Sequence, residues 1–273
     1  MGPTADRIKG GNQLVRVEGL RKSFGRKIVL RGIDLGFAPH RTTVVLGPSG
    51  CGKSVLLKHL VGLLRPDSGS VWFDQKRIDE LPEREFTTIR RQFGFLFQMG
   101  ALFDSLNVHE NIEFPLREAG VNDPTERAHR INEVLAMVGL DDAATMMPAD
   151  LSGGQRKRIA LARSIVLRPR VILYDEPTTG LDPIRADVIN ELILKLQQQL
   201  EATSIVVTHD LTSAFKVADH MVLMLEGQIV MEGSPEQFRE PTDPEIARFM
   251  QGRASEEELA AIRESTNGNG GWS

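Results

Sequence analysis

The string Gly47-Pro48-Ser49-Gly50-Cys51-Gly52-Lys53-Ser54 constrains this chain more than any other feature. It fits the pattern G-x-x-x-x-G-K-[ST]. A short β-branched run at 42–46 precedes it, and a helical pattern begins after Gly52. Strand, glycine loop and helix in that order are what a phosphate-binding α/β domain requires. The glycines let successive backbone N–H groups converge on phosphate oxygens, and the start of the helix turns its positive dipole end toward the same anion. Lys53 is then placed to reach the β- and γ-phosphates of a nucleoside triphosphate, and the Ser54 hydroxyl to ligate magnesium.

A second element completes this chemistry. Val171-Ile172-Leu173-Tyr174-Asp175-Glu176 is an apolar strand ending in two carboxylates, at the carboxyl edge where α/β sheets bind ligands. Asp175 can hold the magnesium shell from there, and Glu176 can polarise an attacking water. Further along, Leu151-Ser152-Gly153-Gly154-Gln155 places a serine and two glycines at a helix start. Bare N–H groups and a helix dipole there make a second phosphate site. One phosphate loop and a second phosphate-binding helix start in one chain leave a surplus, whose simplest use is to close over ATP held by another copy. Ser152 caps its helix in either case.

The rest of the chain reads as an alternating α/β domain with an interruption. Short β-like runs are expected at 14–17, 28–30 and 33–35, and further strands at 71–73 and 93–97. Between about residues 98 and 168 the strand signal disappears. Asp123-Pro124-Thr125-Glu126 makes a helix start, and Ile131, Val134, Leu135 and Val138 follow at helical spacing. Alternation resumes with a strand at 171–174 and a helix from Pro183 that sets Val188, Leu192, Leu196 and Leu200 along one face. A strand at 204–207, a short helix from Leu211 and a hairpin around Gly227 follow. Beyond Gly233 come two small helical patterns, the second opening with the capping box Ser255-Glu256-Glu257-Glu258, and Ile246, Phe249 and Met250 share a helical face. The opening residues through about Gln13 are polar and Gly-rich and are expected to stand outside the fold, and residues 265–273 are expected to fray.

Composition closes off other classes. A net charge of −4 leaves no global basic field for nucleic acid or anionic lipid. The single cysteine, Cys51, excludes an internal disulfide framework and suits a reducing compartment. No apolar run approaches the roughly 18 residues of a membrane span, so a membrane role needs a separate partner. Cys51 lies two residues before Lys53 at a helix start, which favours thiolate and predicts ready alkylation that bound ATP would block. Arg156-Lys157-Arg158 is expected to be a solvated helix face.

With these residues in view, the chain from about Leu14 to Glu232 resembles the ATPase subunits of ABC transporters. That resemblance implies an α/β fold: a P-loop NTPase core of ABC type with an N-terminal antiparallel β subdomain and an inserted helical subdomain at about 99–168. The ATPase domain would span 14–240 and a helical tail 241–273. It implies ATP and Mg2+ as ligands. Phe24 takes the place of the aromatic that stacks on adenine, usually Tyr, so a hydroxyl is missing. Gln98 matches the glutamine that touches magnesium, with Ser54 and Asp175. Gly180-Leu181-Asp182 resembles the loop that communicates between two subunits, Asp182 also being a natural N-cap before Pro183. His209 matches the histidine that contacts the γ-phosphate.

The stretch Gln98-Met99-Gly100-Ala101-Leu102-Phe103-Asp104-Ser105-Leu106-Asn107-Val108-His109-Glu110-Asn111-Ile112, with Phe114-Pro115-Leu116-Arg117-Glu118, is similar to the ATPases of Mce-associated (Mla-type) lipid transport systems. Asp182-Pro183-Ile184, Asp243-Pro244-Glu245-Ile246 and Phe249-Met250-Gln251-Gly252 point the same way. The implied partners are a second copy of the chain, an integral membrane permease, a periplasmic Mce lipid-binding protein and a small STAS-domain subunit. The implied location is the cytoplasmic face of the inner membrane, held through the permease. Import of polar solutes and a soluble scaffold ATPase, like those of iron–sulphur assembly, are the alternatives, because an ATPase that never touches the cargo does not encode it.

Overall fold

Two sheets organise residues 13–253, the stretch that the computed structural model describes. The chain opens with β1 (Val15–Phe24) and β2 (Lys27–Phe37), paired antiparallel. The three short runs expected from sequence are therefore parts of two long strands. Gly32 explains the difference: it reads as a turn, yet it sits at φ 99° between Ile33, which faces Leu20, and Arg31, which faces Arg21. It is the extra residue of a bulge, a strand position that glycine tolerates.

From β2 the chain passes through β3 (Thr42–Leu46) and residues 47–52 into α1 (Lys53–Leu60). Next come β4 (Ser68–Phe73), β5 (Lys76–Arg77), α2 (Glu83–Arg90) and β6 (Phe93–Leu96). The antiparallel sheet has the order β2-β1-β4-β5. In α2 only Phe86 is buried, so no apolar stripe announces that helix.

Three helices fill the gap after β6: α3 (Val108–Glu118), α4 (Pro124–Met137) and α5 (Gly153–Ile165). As expected, Asp123 caps α4 and accepts from the Thr125 N–H at 2.9 Å. Ile131, Val134 and Leu135 form its buried side, each worth about 1.5–3 kcal/mol relative to exposure. The chain then returns in β7 (Val171–Asp175), which pairs parallel with β6 from Phe93↔Val171 onward. The helices are thus an insertion between neighbouring strands of one sheet.

In α6 (Pro183–Leu200) the buried stripe is Ile189, Leu192, Ile193 and Leu196. Val188 is 43% exposed, which corrects the expected face. The i, i+3, i+4, i+7 spacing is satisfied from Ile189, one position further along. Then follow β8 (Thr203–Thr208), α7 (Leu211–Val217), β9 (His220–Leu225) and β10 (Gln228–Gly233), with Glu226 and Gly227 turning the last hairpin.

The second sheet has the order β10-β9-β3-β8-β7-β6, and β9, β3, β8, β7 and β6 run parallel. Every residue of β3, β7 and β8 is buried, as in a sheet covered on both faces. Register places the site. Leu46 lies opposite Thr208, Asp175 opposite Val207, and Leu96 opposite Tyr174. The segments that follow β3, β6, β7 and β8 therefore leave the sheet along one edge.

Among the described residues, those up to Glu232 form one compact unit and those from Gly233 a second. The second unit contains α8 (Pro235–Arg239), with the capping box Ser234/Gln237, and α9 (Pro244–Met250), where Asp243 caps the Glu245 and Ile246 amides. The expected capping box at 255–258 lies outside the described residues. Among the described residues, no helix is long and apolar enough to cross a membrane.

Candidate active site

The loop after β3 is shaped by close approach. A Cβ on Gly47 would lie 2.3 Å from the Met224 carbonyl oxygen and 2.7 Å from Cys51 Sγ, so only glycine fits against β9 there. Gly52 precedes α1 and offers no side-chain cap, which leaves the first amides of the helix for an anion. Lys53 is buried. Its Nζ donates to the carbonyls of Gly47 at 2.7 Å and Pro48 at 3.1 Å and pairs with Glu176 Oε1 at 3.3 Å.

Glu176 follows β7 with φ 49°, a left-handed conformation uncommon outside glycine, and its N–H donates to the Val207 carbonyl at 2.9 Å. Its Oε2 collects four contacts: the Thr179 hydroxyl at 3.2 Å, the Thr208 hydroxyl at 3.3 Å, the His209 amide at 3.4 Å and His209 Nδ1 at 2.8 Å. The carboxylate is thus clamped between the ends of β7 and β8 while Lys53 holds its other oxygen. Such a group can accept a proton from a water in the adjoining cleft without first having to be oriented.

Asp175 lies beside it, with the Ser54 hydroxyl donating to Oδ1 at 2.7 Å. Burial pushes the Asp175 carboxyl up and the nearby Glu176 adds to this, against the Ser54 hydrogen bond and the charges of Lys58 and Lys53. A buried carboxylate touching a hydroxyl, with the Gln98 amide on the same cleft, is a set of hard oxygen donors that fits Mg2+. A divalent cation would reverse the penalty that burial imposes on Asp175.

The expected site residues fall into two groups. Phe24, Ser49, Gly50, Gly52, Lys53, Ser54, Gln98, Glu176 and His209 line one cleft of about 510 Å³. Phe24, which lines it, is 47% exposed; the Lys22 ammonium lies 5.6 Å from its ring centroid, and the exposed ring can take a planar ligand. Gly47, Pro48 and Cys51 build the loop that bounds this cleft, and Asp175 joins through Ser54. Ser152, Gly154 and Gln155 instead line a separate small cleft with Arg158, Arg185 and Val188. There the Ser152 hydroxyl accepts from the Gln155 N–H at 3.3 Å and Gln155 Oε1 accepts from the Ser152 N–H at 2.9 Å. This reciprocal cap occupies two of the donors at the helix start, so the amides left for a phosphate are those of Gly153 and Gly154. Asp182 caps α6, accepting from the Arg185 N–H at 3.0 Å.

Two expectations are corrected. Lys157 is not on a solvated face: it is 8% exposed, and its ammonium donates to the carbonyls of Thr179 at 2.7 Å, Pro177 at 2.8 Å and Glu176 at 3.4 Å. Burial pushes it down to about 8, with the Glu176 charge opposing. Its helix meets loop carbonyls on this side instead of apolar chains, and hydrophobic periodicity carries no sign of that. Cys51 is 7% exposed, and burial pushes its thiol up, outweighing Lys53 and the hydrogen bonds that lower it. Maleimide labelling at neutral pH, read by intact mass on this single cysteine, is therefore expected to run at least about tenfold slower than on free cysteine. Rapid labelling would contradict the buried thiol.

Thr179, Thr208 and Lys27 also belong to the site and were not singled out in the sequence. Lys27 and Thr179 line the cleft, and Thr208 ends β8 directly before His209. A hydroxyl at the end of an apolar parallel strand was the available signal.

A phosphate loop feeding a helix, two carboxylates at a strand end and a parallel sheet that aligns them define a P-loop nucleoside triphosphatase. The family model described as ABC transporter matches residues 30–179. The probable ribonucleotide transport ATP-binding protein mkl of Mycobacterium tuberculosis is 42% identical over 239 residues, 88% of this chain and 67% of that protein. The intermembrane phospholipid transport system ATP-binding protein MlaF of Haemophilus influenzae is 38% identical over 242 residues, 88% of this chain and 91% of that protein. Among solved structures, a dimeric ATP-binding cassette in a post-hydrolysis state with ADP and phosphate superposes with a TM-score of 0.75. It is 33% identical, and the match covers 81% of this chain and 98% of that one. The chain belongs to the ABC transporter family, as an ATP-binding subunit that hydrolyses ATP.

Proposed function

We propose that this ATPase drives phospholipid transport between envelope membranes, as one half of an ATP-sandwiching pair docked on an integral membrane permease at the cytoplasmic face of the inner membrane. In this reading the amides of the loop and of α1 and the Lys53 ammonium hold the triphosphate, and Phe24 stacks on adenine. Ser54, Asp175 and Gln98 would hold Mg2+, which would supply positive charge to offset that of the triphosphate. Glu176 takes a proton from water as the water oxygen bonds to the γ-phosphorus. The bond from that phosphorus to the β–γ bridging oxygen breaks, and ADP leaves with the electron pair. His209 and Thr208 steady Glu176 from the end of β8, and His209 contacts the γ-phosphate. Ser152, Gly153, Gly154 and Gln155 close over the nucleotide of the second copy, and Asp182 lies at the contact between the two. The inserted helices α3–α5 meet the permease. A periplasmic Mce lipid-binding protein and a small STAS-domain subunit complete the assembly.

The observation that supports hydrolysis most directly is the clamp of Lys53, Thr208 and His209 on Glu176. The lipid cargo is supported by the segment 98–112 and by the match over 91% of the length of a phospholipid transport ATPase. The 42% identity to a protein named for ribonucleotide transport favours a second reading, import of a polar solute.

Isolation of the tagged chain with its permease from its own host membranes, followed by reconstitution in phospholipid vesicles, separates the two. ATP-dependent transfer of a fluorescent phospholipid is the expected result. Nucleotide uptake without lipid transfer would overturn the lipid reading and leave the ATPase in place.

A further inference from the structure

Lys157 has no place in the scheme above, yet it occupies a costly position. An ammonium taken out of water is penalised, and the fall of this one to about 8 records that penalty. What it holds is confined to one short loop: the carbonyls of Glu176, Pro177 and Thr179 all converge on Nζ. The first is the carbonyl of Glu176 itself, whose backbone sits at φ 49°, and the second belongs to the next residue; left-handed backbone in a non-glycine persists only where its surroundings over-determine it. Carbonyls that turn inward in such a loop need donors: the Glu176 carbonyl accepts from the Thr179 N–H at 3.3 Å, and one side chain from another element, Lys157, reaches all three. Thr179 matters twice, because its carbonyl accepts from Lys157 while its hydroxyl donates to Glu176 Oε2 at 3.2 Å. The helix that carries Lys157 begins at Ser152.

We infer that Lys157 is a positioning residue for Glu176, tying the helix that starts at Ser152–Gln155 to the loop that aims the base. The inference rests on the proposed role of Glu176 as that base. A movement of α5 when its start meets the nucleotide of the second copy would pass through the ammonium to the carbonyl of Glu176 and those of Pro177 and Thr179 that follow it. Misplacing a reacting group by about 1 Å costs up to about 100-fold in rate.

The test is a double-mutant cycle in steady-state ATPase assays on the full chain. Lys157→Met keeps the length of the side chain and removes every donor. Its kcat is expected to fall about 10- to 100-fold with KM for Mg-ATP within about twofold, since ground-state binding groups are untouched. In a Glu176→Gln background the same change should have no further effect on residual turnover, because the base it positions is gone. Lys157→Arg, which restores charged donors, should recover part of the loss. A merely structural role would instead lower turnover by the same factor in both backgrounds. That result, or an unchanged kcat in Lys157→Met, overturns the proposal. Near-normal turnover of Glu176→Gln alone removes the base itself and the positioning role with it. Loss in Glu176→Gln with none in Lys157→Met removes only the positioning role. If Lys157→Met does not fold, Lys157→Gln keeps two N–H donors and carries the same cycle with a smaller, several-fold loss. An unchanged kcat there is equally fatal.

Discussion

Glu176→Gln is expected to lower ATP turnover at least ~100-fold, the usual scale for a single acid–base group, while leaving ATP binding intact. The substitution preserves the shape of the side chain, and the remaining amide oxygen can still accept from Thr179, Thr208 or His209, which now meet Oε2 at 2.8–3.4 Å. What disappears is a carboxylate able to take a proton from water. The ion pair with Lys53 at 3.3 Å disappears as well, which frees the ammonium for phosphate oxygens and should tighten the grip on the triphosphate. With hydrolysis blocked, ATP should hold the pair of subunits closed. Size-exclusion chromatography would then show a dimer with ATP and a monomer without it. Near-normal phosphate release from this variant would remove Glu176 from the role of base.

Lys53→Met should act at the opposite step, weakening ATP binding at least about 100-fold. Two charge-assisted hydrogen bonds to phosphate oxygens are worth about 3 kcal/mol together, and each 1.4 kcal/mol is tenfold in affinity. The fold should survive. The exposed Pro48 carbonyl can take a water in place of the Lys53 donor, and the buried Gly47 carbonyl loses its bond at about 1–3 kcal/mol, less than the usual stability of a domain. Glu176 keeps its four contacts on Oε2. Titration of a fluorescent ATP analogue, paired with thermal melting without nucleotide, separates lost affinity from lost structure. Wild-type affinity in a folded Lys53→Met protein would contradict the placement of the triphosphate.

These two expectations draw on residues that were legible before any coordinates, because their chemistry depends on local order along the chain. A glycine loop between a strand and a helix converges its amides wherever it occurs, and a carboxylate directly after an apolar strand lies at a sheet edge. Asp123 before Pro124 and Ser152 before two glycines marked helix starts for the same local reason, since a cap needs only its own next three residues.

What only the tertiary structure decided are the relations between segments distant in sequence. Register between β7 and β8 sets Asp175 opposite Val207, and that alone brings Thr208 and His209 to Glu176. The burial that raises the Cys51 thiol comes from the loop's folded surroundings, among them the Gly47 backbone packed against β9, and it reversed an expectation drawn from the neighbouring Lys53. Lys157 shows the same limit most sharply. By sequence it is the middle of a basic run on a helix, and such runs are usually solvated. Its burial follows from three carbonyls that turn inward about 20 residues further along the chain. Backbone carbonyls are common to every residue type, so no pattern of side chains could announce them. Local order therefore determined the phosphate loop, the carboxylate pair and the helix caps. Strand register and inward-turned backbone, which side-chain identity does not record, determined how the catalytic carboxylate is held.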